Sequence, residues 1–483
     1  MPVRIQRWIE LQGFTSNPFE YWEADRETTL SGYFVQAEWF DALRGDTRQP
    51  RSAVLFAPRG HGKSSHRIQI ARLCGGAASD PALIVPITEY DWLPPPGTER
   101  ITEQHYVRYI AFRAALALRD RLQQHPATRM RFDAVPQKLL QLHAFLHLAA
   151  LRDPWRLPEL ALNDADRAEL ARWLRLPHQP VPEPHLLLET MMHSYARATQ
   201  SDILDDLVDL ARFAGFASIY ILVDRVDEDR LTEHDTNAVL ERIHPLISNL
   251  HLLEHPGIAC KFFLPDHLHD AMIARRISRI DERLPVYTLS WSDDDLAELL
   301  RRRLAFYSHP VGAISGVPAV TTFQDLCEPG SDADRRLVAA ARGSPRRMII
   351  IAARLIARHC ARIDDANRLI GKETLDALLG QTIPALYLDS AGYLWMGGVR
   401  QHTRLPRLPR LVLEYLWQHR RRYVTRDELA ATFYTRDQQP ESIQRVITRL
   451  RALIEPDVKN SKHYIDFVEG LGYRLVNFED EIA

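Results

Sequence analysis

The segment Ala53–Ser64 constrains this chain more than any other. Ala53-Val54-Leu55-Phe56 is a short apolar run, Ala57-Pro58-Arg59-Gly60-His61-Gly62 is turn-forming, and Lys63 opens a helical pattern that reaches about Leu73. A buried strand that runs through a glycine loop straight into a helix is the opening of a βαβ unit, and such units build parallel sheets. Apolar runs of strand length recur at Ala82–Ile87, Ser218–Val223, Ala259–Leu264 and Leu284–Leu289. Helical patterns separate them. The expected class is α/β with a parallel-sheet core.

The loop carries a specific chemistry. Its spacing is that of the Walker A motif, G-x-x-x-x-G-K-[S/T], with Ala57 in place of the first glycine. Backbone amides can surround a phosphate only where the chain curls without side chains in the way. Gly60 and Gly62 meet that need, and the candidate phosphate-binding set is Gly60, His61, Gly62, Lys63, Ser64 and Ser65. Lys63 would place its ammonium on the outer phosphates, Ser64 would hold Mg²⁺, and the helix would point its positive end at the anion. The plain alternative is a glycine turn with Lys63 on the surface. Ile219-Tyr220-Ile221-Leu222-Val223-Asp224 has the Walker B form, an apolar strand ending in a carboxylate. Asp224 is the second expected Mg²⁺ ligand, and Asp227 or Glu228 would polarise the attacking water. The cofactors expected are ATP and Mg²⁺.

Gly343-Ser344-Pro345-Arg346-Arg347-Met348 resembles the G-x-P-R start of the sensor 2 helix in the lid of AAA+ and STAND ATPases. With the loop and the acidic strand, it makes residues 14–380 similar to a P-loop ATPase of that group, nearer its origin-recognition and signalling branches than its motor unfoldases. The resemblance implies that Arg346, or Arg347 in reserve, reports the γ-phosphate. It implies that Glu228 rather than Asp227 positions water, and that Asp266 after Phe262-Phe263-Leu264-Pro265 is the sensor 1 candidate. It also implies adenine contacts upstream of the loop, for which Tyr33, Phe34 and Val35 are candidates, although an aromatic stripe also serves as core. Arg275, Arg276, Arg279 and Arg283 include a candidate arginine finger or form a solvated basic helix. The departures are Ala57 and the long gap between Lys63 and Asp224, which implies an inserted helical module.

That module is legible as helical spacing between about 100 and 215, for example Leu139, Leu142, Phe145 and Leu148, punctuated by prolines. Residues 1–50 read as a lead-in, 51–290 as the P-loop core with its insertion, 291–380 as a helical lid, and 385–483 as a further domain of different character.

The last domain concentrates charge. Residues 400–451 hold twelve arginines and no lysine against five carboxylates, whereas the whole chain has 61 basic and 63 acidic side chains. A local excess of seven positive charges in a near-neutral protein is the footprint expected for a phosphate backbone. Helical patterns run over Arg407–Gln418, after Thr425, and over Glu441–Leu453, and Tyr464–Val468 and Tyr473–Val476 flank glycines as a hairpin. Ile447-Thr448-Arg449-Leu450-Arg451 and Glu469-Gly470-Leu471-Gly472-Tyr473-Arg474-Leu475 make about 95 residues similar to the winged helix-turn-helix of OmpR/PhoB-type response regulators. By that likeness the third helix enters the major groove and the hairpin is the wing. Ile443, Val446, Ile447 and Leu450 share the apolar face, leaving Gln444, Arg445, Thr448 and Arg449, with Arg474 on the wing, as the candidate DNA contacts.

Composition narrows the classes. A make-up of 46% hydrophobic and 26% charged residues is that of a globular chain, and no apolar run approaches the roughly 20 residues of a membrane span. The opening residues lack a secretory h-region, and the four dispersed cysteines fit a reducing cytoplasm. The fold expected is thus a P-loop NTPase core with helical insertion and lid, followed by a winged helix-turn-helix domain. The expected function is an ATP-hydrolysing switch with a DNA-binding output. Its expected partners are double-stranded DNA, further copies of the chain in the ATP state, and a protein that binds the insertion. A nucleotide-gated scaffold whose winged helix binds proteins is the alternative, and a P-loop kinase is a third.

Overall fold

The structure, a computed structural model, describes residues 3–76, 79–94, 100–148, 163–176, 181–228, 232, 236–274, 283–308, 320–362, 369–379, 386–388, 393–396, 399–401, 405–420, 422–433, 443–455, 464–476 and 478. It forms two compact units, one of residues 36–58 and 63–289, the other of residues 1–35, 59–62 and 290–483.

The first unit is built on a five-stranded sheet of β1 (Ala53–Ala57), β2 (Ala82–Ile87), β3 (Ser218–Val223), β4 (Ile258–Pro265) and β5 (Val286–Thr288), in the order β2-β3-β4-β1-β5. Every pairing is parallel. β1, β3 and β4 are buried along their whole length, which is why they read as unbroken apolar runs rather than alternating ones. Parallel pairing also brings the ends of β1, β3 and β4 to the same edge of the sheet. In open parallel sheets that carboxyl edge is where ligands bind.

Among the described residues between β2 and β3 are the helices Glu103–Gln124, Pro126–Asp133, Pro136–Leu148, Asp164–Trp173, Pro184–Arg197 and Gln200–Phe213. The longest of them packs on β2 and on Pro136–Leu148, and its buried residues join the hydrophobic core under the sheet.

In the second unit the N-terminal stretch is tied to the helix Asp293–Tyr307 by a buried ion pair. Arg303 donates to Glu27 at 2.8 Å, to the Tyr33 hydroxyl at 2.8 Å, and to the carbonyls of Tyr21 and Pro18. Glu27 also accepts from the hydroxyls of Thr29 (2.6 Å) and Tyr307 (2.7 Å). Burial alone would raise the Glu27 carboxyl, but those two hydroxyls and the Arg303 charge outweigh it and hold its pKa below the ordinary value. A depressed carboxylate pKa contributes stability that is present above the unfolded value and lost as pH falls through the folded one. Arg303→Met is therefore expected to destabilise this unit by about 3–5 kcal/mol at neutral pH, because it strands a buried carboxylate. Chemical denaturation should show the gap to wild type narrowing as the pH falls through the Glu27 range. The same cluster consumes Tyr33, which is 1% exposed. Its ring carries the Arg303 guanidinium at 4.7 Å. Of the two readings of Tyr33, adenine contact or core, the packing is that of the core. The Phe34 carbonyl accepts from Arg302 at 2.9 Å, and Val35 is half-buried.

The C-terminal domain has a three-stranded antiparallel sheet of β6 (Leu386–Leu388), β7 (Leu394–Met396) and β8 (Val399–Arg400), then helices Arg407–Gln418, Arg426–Phe433 and Ile443–Ile454. A hairpin of β9 (Ile465–Val468) and β10 (Gly472–Leu475) follows. All three helices and the hairpin share one apolar core. Arg275, Arg276 and Arg279 lie outside the described residues, and Arg283 is exposed.

Candidate nucleotide site and nucleic-acid interface

The loop after β1 adopts the backbone its glycines allow. Gly60 has φ of 81° and Gly62 of 96°, both left-handed, a region that side chains disfavour. The helix Lys63–Gly75 begins directly afterwards. Lys63 Nζ donates to the carbonyls of Ala57 (2.8 Å) and Pro58 (3.2 Å), so its ammonium lies over the start of the loop. Ser65 is half-buried in the first turn.

β3 delivers Asp224 to the same place. Because β4 separates β1 from β3, the two strands are two spacings apart, roughly 10 Å. The helix that leaves β1 nevertheless brings Ser64 Oγ to 2.7 Å from Asp224 Oδ2. Arg67, one turn further along, donates through Nε to the same oxygen at 2.9 Å. The Arg225 amide donates to Oδ1 at 2.9 Å. Asp224 is 1% exposed, so this carboxylate is buried and hydrogen-bonded on both oxygens. Ser64 and Asp224 offer the hard oxygens that Mg²⁺ prefers, with the Arg67 guanidinium already on the carboxylate oxygen they share. Arg67 belongs to no motif. Its only signal in the sequence is position, since residues 64 and 67 share a helix face.

The turn after Asp224 is braced from below. The Tyr90 hydroxyl donates to the Asp224 carbonyl at 2.9 Å, and Arg242 lies over the Tyr90 ring at 5.1 Å. Arg242 also donates to Thr232, which donates to the Val226 carbonyl. Burial, aided by the charges of Asp224 and Asp227, pushes the Tyr90 phenol well above its ordinary pKa, so it remains a donor. Arg225 takes the left-handed conformation (φ 62°), and the Glu228 amide returns to its carbonyl at 3.2 Å, closing the turn. Asp227 is half-buried and Glu228 exposed, with Glu228 Oε2 at 3.5 Å from Arg225 Nε. Asp266 opens the helix that follows β4 and accepts from the His267 amide at 2.9 Å.

In the second unit, the loop residues Arg59–Gly62 meet the start of the helix Pro345–Arg362. The Arg346 amide donates to the Gly60 carbonyl at 3.3 Å, and the Trp291 indole donates to the His61 carbonyl at 2.8 Å. Arg346 is half-buried. Arg347 turns back to the Ala340 carbonyl at 2.9 Å.

In the C-terminal domain, Ile443, Val446, Ile447 and Leu450 are buried, whereas Gln444, Arg445, Thr448 and Arg449 are exposed. Thr448 bonds its own helix, donating to the Gln444 carbonyl at 2.8 Å. Arg451 donates to the Ile465 carbonyl at 2.7 Å and so joins helix to wing. Arg474 stacks on Tyr423 at 4.5 Å. Other arginines are also engaged inside the domain: Arg420 over Trp417, Arg426 over Phe467, and Arg422 with Glu428.

The wing depends on one glycine. Gly472 has φ of 105°, and a Cβ there would sit 2.1 Å from the Val424 carbonyl oxygen, because Val424 and Tyr473 exchange backbone hydrogen bonds alongside. Gly472→Ala is expected to destabilise the domain by about 2 kcal/mol or more. Loss of amide protection at Val424 and Tyr473 in hydrogen exchange would report it.

Among the described residues no helix is long and apolar enough to cross a membrane. No curated protein matches the chain. A solved structure, the response regulator DrrB, a Thermotoga maritima OmpR/PhoB homolog, aligns over 53% of this chain and 97% of its own at 18% identity. Its TM-score is 0.18, well short of a shared overall fold. Residues 400–475 match the family "Transcriptional regulatory protein, C terminal". The C-terminal domain is a winged helix of the OmpR/PhoB type, the DNA-binding output domain of transcriptional regulators.

Proposed function

We propose that this chain is an ATP-binding and ATP-hydrolysing switch, of the AAA+/STAND kind, whose output is duplex-DNA binding in transcriptional control. The observation that carries the reading is the approach of Ser64 to Asp224, 2.7 Å apart although 160 residues separate them in sequence.

Mg²⁺–ATP, when bound, supplies the phosphoanhydride and the charge neutralisation that phosphoryl transfer requires. The amides of Gly60–Ser65 and the Lys63 ammonium would hold the phosphates, while Ser64 and Asp224 would hold the ion once Arg67 withdraws from the carboxylate. Glu228, at the end of the braced turn, orients the attacking water.

The test is ATP turnover measured with and without duplex DNA, together with particle size. Absence of nucleotide binding in both conditions would sink the reading. Glu228→Gln is expected to keep ATP affinity but to slow hydrolysis by on the order of 10²-fold or more. Unchanged turnover would move the role to Asp227.

A further inference from the structure

We infer that Arg67 and a divalent cation are alternative partners of Asp224, so that this site binds nucleotide with little dependence on metal. The inference rests on the reading of Asp224 as a residue that faces the nucleotide-bound ion. Arg67 is 7% exposed, and its ion pair with Asp224 leaves 8% and 2% of the two side chains accessible. A buried carboxylate requires a positive partner, and the guanidinium already provides one at hydrogen-bond distance. Ser64 and Arg67 donate to the same oxygen while the Arg225 amide occupies the other, so three of the roughly four acceptor positions of the carboxylate are taken. A doubly charged ion admitted beside Asp224 would meet the guanidinium as a like charge at close range in a poorly solvated setting. Either Arg67 withdraws or the ion stays weakly held. The helix enforces the choice, because it presents Ser64, the other metal donor, from the same face and the same turn as Arg67.

Two measurements on the full-length protein test this. The first is ATP affinity of the wild type in Mg²⁺ and in EDTA: the two values should agree within about threefold, whereas loss of a metal-mediated contact to a charged group costs about tenfold or more. A tenfold or larger loss of wild-type affinity in EDTA overturns the inference. The second is thermal melting without nucleotide, with Mg²⁺ alone as the probe. The wild type should not respond. Arg67→Met should melt lower and be raised toward the wild-type value by the ion, and Arg67→Met combined with Asp224→Asn should lose that response. An ion response equal in wild type and Arg67→Met, or one that survives in the double variant, also overturns it. If Arg67→Met does not fold, the wild-type comparison still decides. A wild type that binds no ATP in either buffer refutes the nucleotide reading instead, and the melting experiment then tests the competition between Arg67 and the ion by itself.

Discussion

Lys63→Ala is expected to weaken ATP binding by on the order of 10²-fold or more while leaving the chain folded. The ammonium lies over the entrance of the loop, bonded to the Ala57 and Pro58 carbonyls. In the proposed complex it exchanges those neutral acceptors for phosphate oxygens. Charge-assisted hydrogen bonds to a buried anion are each worth about 1.5–3 kcal/mol, and one ammonium can make two of them. The cost to the fold is small, because Lys63 is only half-buried and water can reach the carbonyls it releases. Calorimetric titration of ATP, with circular dichroism as the control, checks both halves. An unchanged affinity would return the loop to a plain connection between β1 and its helix.

The double variant Arg445→Ala, Arg449→Ala should lose duplex-DNA binding by about 10²-fold or more if both side chains reach DNA, since each base-reading arginine is worth about 1–3 kcal/mol. Salt dependence distinguishes what they touch. If both neutralise phosphates, the slope of log affinity against log salt falls by about 1.8 in magnitude; if they read bases, the slope holds and sequence preference relaxes. The fold should survive, because the apolar face of Ile443, Val446, Ile447 and Leu450 is untouched. Binding that persists unchanged would refute the recognition-helix assignment and favour the scaffold whose winged helix binds proteins.

The candidate sites are unequally legible in the sequence. Gly60 and Gly62 announce left-handed backbone because the spacing of a phosphate loop demands it at those positions. The exposed and buried faces of Ile443–Ile454 follow from the period of an amphipathic helix. Tyr33 is ambiguous, because an aromatic next to a polar stretch looks the same whether it stacks on a ligand or seals a core. Only the arrival of Arg303, about 270 positions later, decides it. Tyr90 and Arg242 have no local signature, since a tyrosine after β2 and an arginine in a helix are ordinary until they meet under the Asp224 turn.

The amino-acid order by itself determined the five parallel strands, the strand–loop–helix at Lys63 and the winged-helix pattern, because each is a local property: unbroken apolar runs, glycines at fixed spacing, a period of 3.6 residues. Tertiary structure alone decided which charge faces which. Strand order placed β4 between β1 and β3, and the lean of one helix then brought Ser64 and Arg67 onto the same buried oxygen of Asp224. Periodicity says which side of an element is buried. The partner found there depends on how distant elements pack, and no local pattern encodes that choice.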